Sequence, residues 1–230
     1  MGRKSNIPPQ KIDRSNQTVE QLLAAGVEAF VKYGPEGVTT RELAKAAGVN
    51  VAAIGYYFGG KEGYYLAVVG HLIKEHAQAV HSLISEVSEA LQRSDKTSQT
   101  AGALLGKFIK DLTTIIVLNP TTKKVASISS RENLHPTSAF ELVYQYLLLP
   151  LHSTISELVG CATGTPASSP VTIIRSHVLL GQVLYFSVAG STLRRRLGWK
   201  KISKKQAELI AETVTETAIR AIGMDNKDLA

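Results

Sequence analysis

The chain has 230 residues, 44% of them hydrophobic, and its 26 Lys and Arg outnumber 19 Asp and Glu for a formal net charge of +7. That apolar content excludes a disordered tail and is enough for a small and a larger domain in one subunit. The single cysteine, Cys161, excludes an intrachain disulfide and a multi-cysteine metal cluster. No apolar run reads as a bilayer span and the charged start lacks the apolar segment of a secretory signal, so a cytoplasmic location without membrane association is expected.

The net charge agrees with a nucleic-acid partner but does not locate its site. Residues 1–62 carry eight cations against six acids, a net of +2, while the remaining 168 carry eighteen against thirteen, a net of +5. Most of that excess lies in Arg194, Arg195, Arg196, Lys200, Lys201, Lys204 and Lys205. Such a run reads first as a solvated helix end that complements the macrodipole.

In chain order, residues 1–15 hold Arg3, Lys4, Lys11 and Arg14 against Asp13, with Pro8 and Pro9 between them. This is expected to be a flexible basic arm, either lying along phosphates or in a minor groove, or carrying incidental charge at a terminus. Residues 16–33 predict a helix with Val19, Leu23, Val27 and Phe30 on one stripe and Gly34 closing it.

Residues 39–62 read TTRELAKAAGVNVAAIGYYFGGKE. Thr39 and Glu42 stand at capping-box spacing and start a short helix whose apolar side is Leu43, Ala46 and Ala47. Gly48 permits a tight exit. Asn50 can cap a second helix, held to the first by Val49, Ile54 and Phe58, with Val51, Ala52, Ala53, Gly55 and Tyr56 facing outward. Lys61 opens a third helix, where a cation beside exposed amide donors suits a phosphate. Two short helices about a glycine turn are the form of a helix-turn-helix, and the domain is expected to span 16–62.

A long helix is predicted from Lys61 to Leu91, roughly 45 Å at 1.5 Å per residue, within a regulatory region spanning 63–230. His71, His76 and His81 recur at steps of five, which rotates each away from the last, so no metal site is expected. Helices follow at 101–118 and 121–133. A further one is predicted at 136–159, kinked near Leu147 or Leu148 by Pro150. After a loop at 160–170, helices at 171–197 and 203–222 close the chain. Their stripes are Ile174, Val178, Gly181, Leu184 and Val188 on the first, and Leu209, Ile210, Val214, Ala218 and Ile222 on the second. They would either face their own core or build a four-helix bundle in a homodimer. The fold class is all-α.

The ordered Thr-Thr-Arg start, Gly-Val-Asn turn, Tyr-Tyr-Phe end and Lys-Glu restart resemble the TetR family of bacterial transcription regulators, over about Thr18 to Val69. The resemblance implies a two-fold dimer on a double-stranded DNA operator, released by a small-molecule effector. It implies phosphate contacts from Thr40, Tyr57 and Lys61 and base-side contacts from Arg41, Val51, Ala52, Ala53 and Tyr56. Gly55 departs from the pattern, since many members place a DNA-touching tyrosine there. Further along, Arg131 to Thr137 (RENLHPT), Ala139-Phe140 and Leu193 to Trp199 (LRRRLGW) resemble the regulatory domain of the CecR-like branch.

For the effector, the polar candidates are Arg131, Glu132, His135, Tyr144, His152, His177 and Tyr185; no cofactor is implied. Glu132 near His135, with Ser127, Ser129 and Ser130, lacks any nucleophile motif, phosphate loop or metal set, so an enzyme is not expected. A helical interaction module without operator binding is the other alternative, weakened by Thr40, Tyr57 and Lys61. The reading is a ligand-responsive regulator, a repressor by expectation.

Overall fold

The computed structural model describes the backbone of residues 9–224 and side chains over 15–75 and 79–224. The expected arm's first eight residues, and the side chains of Lys11, Arg14 and His76, lie outside the described residues. Every described element is helical: α1 (Pro9–Tyr33), α2 (Thr40–Ala47), α3 (Ala52–Phe58), α4 (Lys61–Arg93), α5 (Ser98–Leu118), α6 (Pro120–Leu134), α7 (Phe140–Val143), a π-helical turn (Tyr144–Leu148), α8 (Leu149–Thr163), α9 (Pro170–Leu197) and α10 (Lys204–Ala221).

α1 begins at Pro9 rather than at residue 16, so the second half of the expected arm is helix. Proline suits a first helical position because its φ is preset and the N–H it lacks would be unpaired there. α1 buries Leu22, Val27 and Phe30 against α2 and α4. At Gly26 an added Cβ would stand 2.5 Å from Val68 Cγ2 and 2.8 Å from the Tyr64 hydroxyl, so the crossing of α1 on α4 requires a residue without a side chain. Tyr64 donates its hydroxyl hydrogen to the Leu22 carbonyl.

The larger domain is built around α5, which buries Leu105, Phe108, Ile109, Leu112 and Ile116 among α4, α8, α9 and α10. Its helices are started by side-chain caps: Thr97 on Thr100 N, Asn119 on Thr121 N ahead of Pro120, Ser169 on Thr172 N, and a capping box between Ser203 and Gln206.

The single helix expected over 136–159 is divided. Thr137 turns back to Glu132, so helix resumes only at Phe140. The kink from Pro150 takes the form of a π-helical turn, in which Leu149 N donates to Tyr144 O. Pro150 has no N–H for the Tyr146 carbonyl four residues back. His81 Nε2 donates to that oxygen from α4 at 3.2 Å.

The last two helices differ from each other. On α10, Ile210, Val214 and Ala218 are buried on α5 inside the subunit, so these three cannot form the inter-subunit contact expected of them. α9 is apolar on two faces: it turns Leu179, Leu180 and Val183 inward with Thr172 and Ser176, where Ser156 Oγ and Ser176 Oγ lie 3.0 Å apart, and turns Val171, Ile174 and Val178 outward. It also contains an eighteen-residue window of mean hydropathy 1.4, long and apolar enough to cross a membrane by composition, contrary to the expectation of no such run.

Candidate nucleic-acid interface

The reader is α2, the Gly48 turn, α3 and the first turn of α4. Thr39 accepts from Glu42 N at 3.2 Å while Glu42 Oε2 accepts from Thr39 N at 2.8 Å, closing the capping box. Those hydrogen bonds hold the Glu42 carboxyl below its usual range. Gly48 sits at φ 68°, a left-handed conformation that ends α2 without steric cost. α2 buries Leu43 and Ala44; Ala46, expected on that side, is exposed because the helix is rotated toward Ala44.

α3 is held by buried Ile54 and half-buried Val49 and Phe58. Asn50 Oδ1 accepts from Ala52 N at 2.9 Å, so this side chain serves the helix start rather than a base. Val51, Ala52, Gly55 and Tyr56 stand outward, with Tyr56 83% exposed. Ala53 is half-buried against the core, a correction to its outward placement. Tyr57 is also half-buried, its ring edge-on to Tyr56 at 4.9 Å, which leaves its hydroxyl end the part available to a phosphate. Arg41 is exposed on α2 and Thr40 is half-exposed beside it.

α4 starts after Gly60 with no side-chain cap. Its first amide donors and the Lys61 ammonium therefore present positive potential at the start of α4, directly after α3. The assembled surface is narrow, mostly apolar and edged by hydroxyl and cationic groups. It has the shape of a helix that enters a major groove and is anchored at its flanks.

Reader and larger domain are joined by polar contacts. Tyr65 donates to Glu132 Oε1 at 2.7 Å, and Thr137 N and Oγ1 both donate to Glu132 Oε2 at 2.9 Å. Burial first, then the hydrogen bond to Glu132 and its charge, push the Tyr65 phenol well above its usual range. Arg131 Nη1 reaches the Phe30 carbonyl at 3.3 Å, and Lys124 pairs with Glu28.

These contacts correct two of the effector residues. Glu132 is fully buried with both oxygens accepting hydrogen bonds, and Arg131 directs a donor to the Phe30 carbonyl of α1, so both stand at the domain junction and not with the other effector candidates. His135 caps α6 on the surface and Tyr185 points outward from α9, away from any shared cavity. Tyr144, His152 and His177 do come together, lining a cavity of about 580 Å³ with Phe140, Leu148 and Ile173. The two imidazoles stack at 5.3 Å, and Phe140 stacks on Tyr144 at 6.1 Å. Burial first, then the His177 charge, lowers the His152 pKa.

The sequence reading missed a groove of about 1000 Å³ along α4, lined by Ile73, Lys74, His81, Ser85, Leu142 and Tyr146. Nothing in the α4 pattern marks it, because the π-helical turn that walls it is set by Pro150, sixty-nine residues from His81.

A bare two-helix reader on an all-helical domain defines a DNA-binding transcription regulator. The chain matches the model of bacterial regulatory proteins of the tetR family over residues 22–68, and that of the C-terminal domain of the HTH-type transcriptional dual regulator CecR over 101–224. It is 32% identical over 214 residues to the HTH-type transcriptional dual regulator CecR of Shigella flexneri, covering 90% of this chain and 92% of that one. The chain therefore belongs to the TetR family, in the branch with a CecR-type C-terminal domain, a family of transcription regulators rather than enzymes. Among solved structures it resembles AibR in complex with isovaleryl coenzyme A and operator DNA, with TM-score 0.62, 14% identity and coverage of 87% and 97% of the two chains. It also resembles HlyIIR, a hemolysin II transcriptional regulator, with TM-score 0.54, 23% identity and coverage of 87% and 98%.

Proposed function

We propose that this regulator is a ligand-responsive homodimer that represses from a near-palindromic operator in the cytoplasm. The observation that carries the reading is the second, exposed apolar face of α9. Ile174, Val178, Gly181, Tyr185 and Val188 recur at steps of four and three, and the four with side chains each leave half or more of their surface exposed. A helix that already buries Leu179, Leu180 and Val183 in its own subunit and still exposes such a stripe is completed by packing against another helix. A second copy, pairing the same seam about a two-fold axis with Leu209 of α10 at its margin, accounts for it without a further partner. This also favours a protein contact over a membrane for the 28%-buried window of α9, since Thr172 and Ser176 are already committed inward.

Two-fold pairing presents two identical readers to half-sites about 34 Å apart. Thr40, Tyr57 and Lys61 hold phosphates; Arg41 reads a guanine edge, and the methyls of Val51 and Ala52 with Tyr56 read thymine-rich positions. The effector occupies the Tyr144, His152 and His177 cavity and favours the shape in which the readers no longer match the half-sites. Support for a ligand-bound, operator-bound form comes from AibR, whose structure holds both.

Selection from random duplexes with the purified protein, followed by sedimentation of the complex, tests the reading. Recovery of one inverted repeat bound by two subunits is expected. Equal affinity for scrambled duplex, or a monomer on a single half-site, would sink it.

A further inference from the structure

A second cavity, of about 410 Å³, opens at the lower end of the regulatory domain where the C-terminal end of α5, the start of α6 and the last turns of α9 meet. Lys123, Arg194 and Lys201 line it together with Ser191 and the aromatic face of Phe186, and no Asp or Glu is among its lining residues. Several cations of the same domain are paired, Lys107 with Glu86 and Asp111, Lys110 with Glu212, and Lys124 with Glu28. Among the described residues, the three lysine and arginine side chains of this cavity have no acidic partner.

Helix-end solvation does not account for the cluster. Arg194 lies in the last turn of α9, where a cation complements the macrodipole, but Lys123 lies in the first turn of α6 and Lys201 in the connection to α10. Positive charge at a helix start is disfavoured, which applies to Lys123; Lys201 stands midway between the end of α9 and the start of α10. Three cations of separate origin are thus gathered in a recess, one of them, Lys123, against its local electrostatic preference. α9 also leaves helical geometry here, at Ala189 (φ −111°, ψ 16°), between the lining residues Val188 and Gly190. Arg195, Arg196, Lys200, Lys204 and Lys205, neighbours of Arg194 and Lys201 in sequence, are exposed and raise the positive potential of this end of the domain.

We infer that the recess formed by Lys123, Arg194, Lys201 and Ser191 is a binding site for a small phosphate-bearing ligand, separate from the His152 and His177 cavity. A dianionic phosphoryl group satisfies three cations and a hydroxyl at once, and Phe186 offers a face to a planar organic portion. The volume suits inorganic phosphate or a small phosphate monoester rather than a polymer. The lysine of the α6 start and the arginine below the α9 kink then share one anion, which ties the kinked segment of α9 to α6.

The full chain is titrated with inorganic phosphate and, separately, with adenosine 5′-monophosphate, following thermal midpoint and heat of binding at constant ionic strength with chloride as reference. Saturable stabilisation by at least one phosphate, absent with chloride, is expected. A stronger response to the monophosphate identifies an organic phosphate; an equal response identifies the free anion. Lys123→Ala, Arg194→Ala and Lys201→Ala are each expected to weaken binding about tenfold, near 1.4 kcal/mol. Gly190→Glu, whose Cβ has nothing within 4 Å, should abolish binding while leaving the helical signal intact. Absence of saturable binding, a chloride response equal to that of phosphate, or unchanged affinity in the alanine variants would overturn the site. So would a wild-type protein indifferent to both phosphates whose alanine variants lose duplex affinity, since the cluster would then belong to DNA. The phosphate titrations require neither operator nor a particular oligomeric state, and sedimentation of each variant checks that Val188, which borders both the recess and the α9 seam, has not coupled the two, so this site and the proposed regulatory function can fail separately.

Discussion

The hydroxyl of Tyr65 and the carboxylate of Glu132 meet at 2.7 Å in a fully buried position, joining the second turn of α4 to the last turn of α6. Because Thr137 occupies the other carboxylate oxygen, the long helix α4, α6 and the connection from α6 to α7 share one anion. Tyr65→Phe would leave one buried oxygen without its donor, a loss of about 1–3 kcal/mol. Urea unfolding should register it, while Tyr185→Phe on the exposed face of α9 should stay within about 0.5 kcal/mol of the parent. Equal midpoints for the two variants would refute the junction.

Alkaline pH should attack the α1–α4 crossing. Burial raises the Tyr64 phenol to about 12, so the folded state disfavours its ionised form. A folded pKa above the unfolded one means that this stability is whole below about pH 10 and is lost as pH rises through the folded value. Phenolate absorbance and helical signal should therefore change together in that window, and an early titration of Tyr64 with the helices intact would contradict the burial.

On DNA, the two kinds of contact should separate. Lys61→Ala is expected to weaken all sequences alike and to reduce the salt slope by about one. Arg41→Ala should cost about 1–3 kcal/mol at one base pair of each half-site and relax the preference there. Gly55 lies mid-helix with open space around its missing Cβ, so Gly55→Ala should stabilise the fold by about 0.5–1 kcal/mol without loss of binding. Competition binding at several salt concentrations distinguishes these outcomes; a uniform loss from Arg41→Ala would remove it from base reading.

Charge placed on the α9 seam should part the subunits without unfolding them. Val178→Glu is expected to give a folded monomer by sedimentation, whereas Val214→Glu, buried on α5, should unfold the domain. A Val178→Glu protein that sediments like the parent would place the seam elsewhere.

Lowering the pH should loosen the cavity around His152. Its folded pKa lies below the unfolded one, so its contribution is present above about pH 6.5 and is lost as pH falls through the folded value. The thermal midpoint of the parent should drop over that range, and His152→Asn should flatten the drop. Parallel pH curves for the two proteins would show that this imidazole is not the responsible group.

Local chemistry was legible where it acts over a few residues. The Thr39 and Glu42 box, the Gly48 exit and the Asn50 cap form as their spacing implies, because each depends on backbone donors no more than four residues away. Errors arose where local cues were silent. Ala44 replaced Ala46 on the buried side of α2, and Ala53 turned inward, since for small residues the neighbouring helix decides which face is covered. Arg131 and Glu132 read as polar groups available to a ligand, and only the approach of α1 and α4 showed them to stand at the domain junction.

By itself, then, the sequence determined the helical class, the reader with its caps and turn, and the family, because periodicity, capping and turn chemistry are properties of short segments. The tertiary structure alone decided which apolar stripe was spent inside the subunit and which was left bare, Ile210 and Val214 against Ile174 and Val178. It alone also gathered Lys123 with Arg194 and Lys201. Both outcomes turn on contacts between helices far apart along the chain, and apolar burial has no direction of its own: a stripe states that it must be covered, not by what.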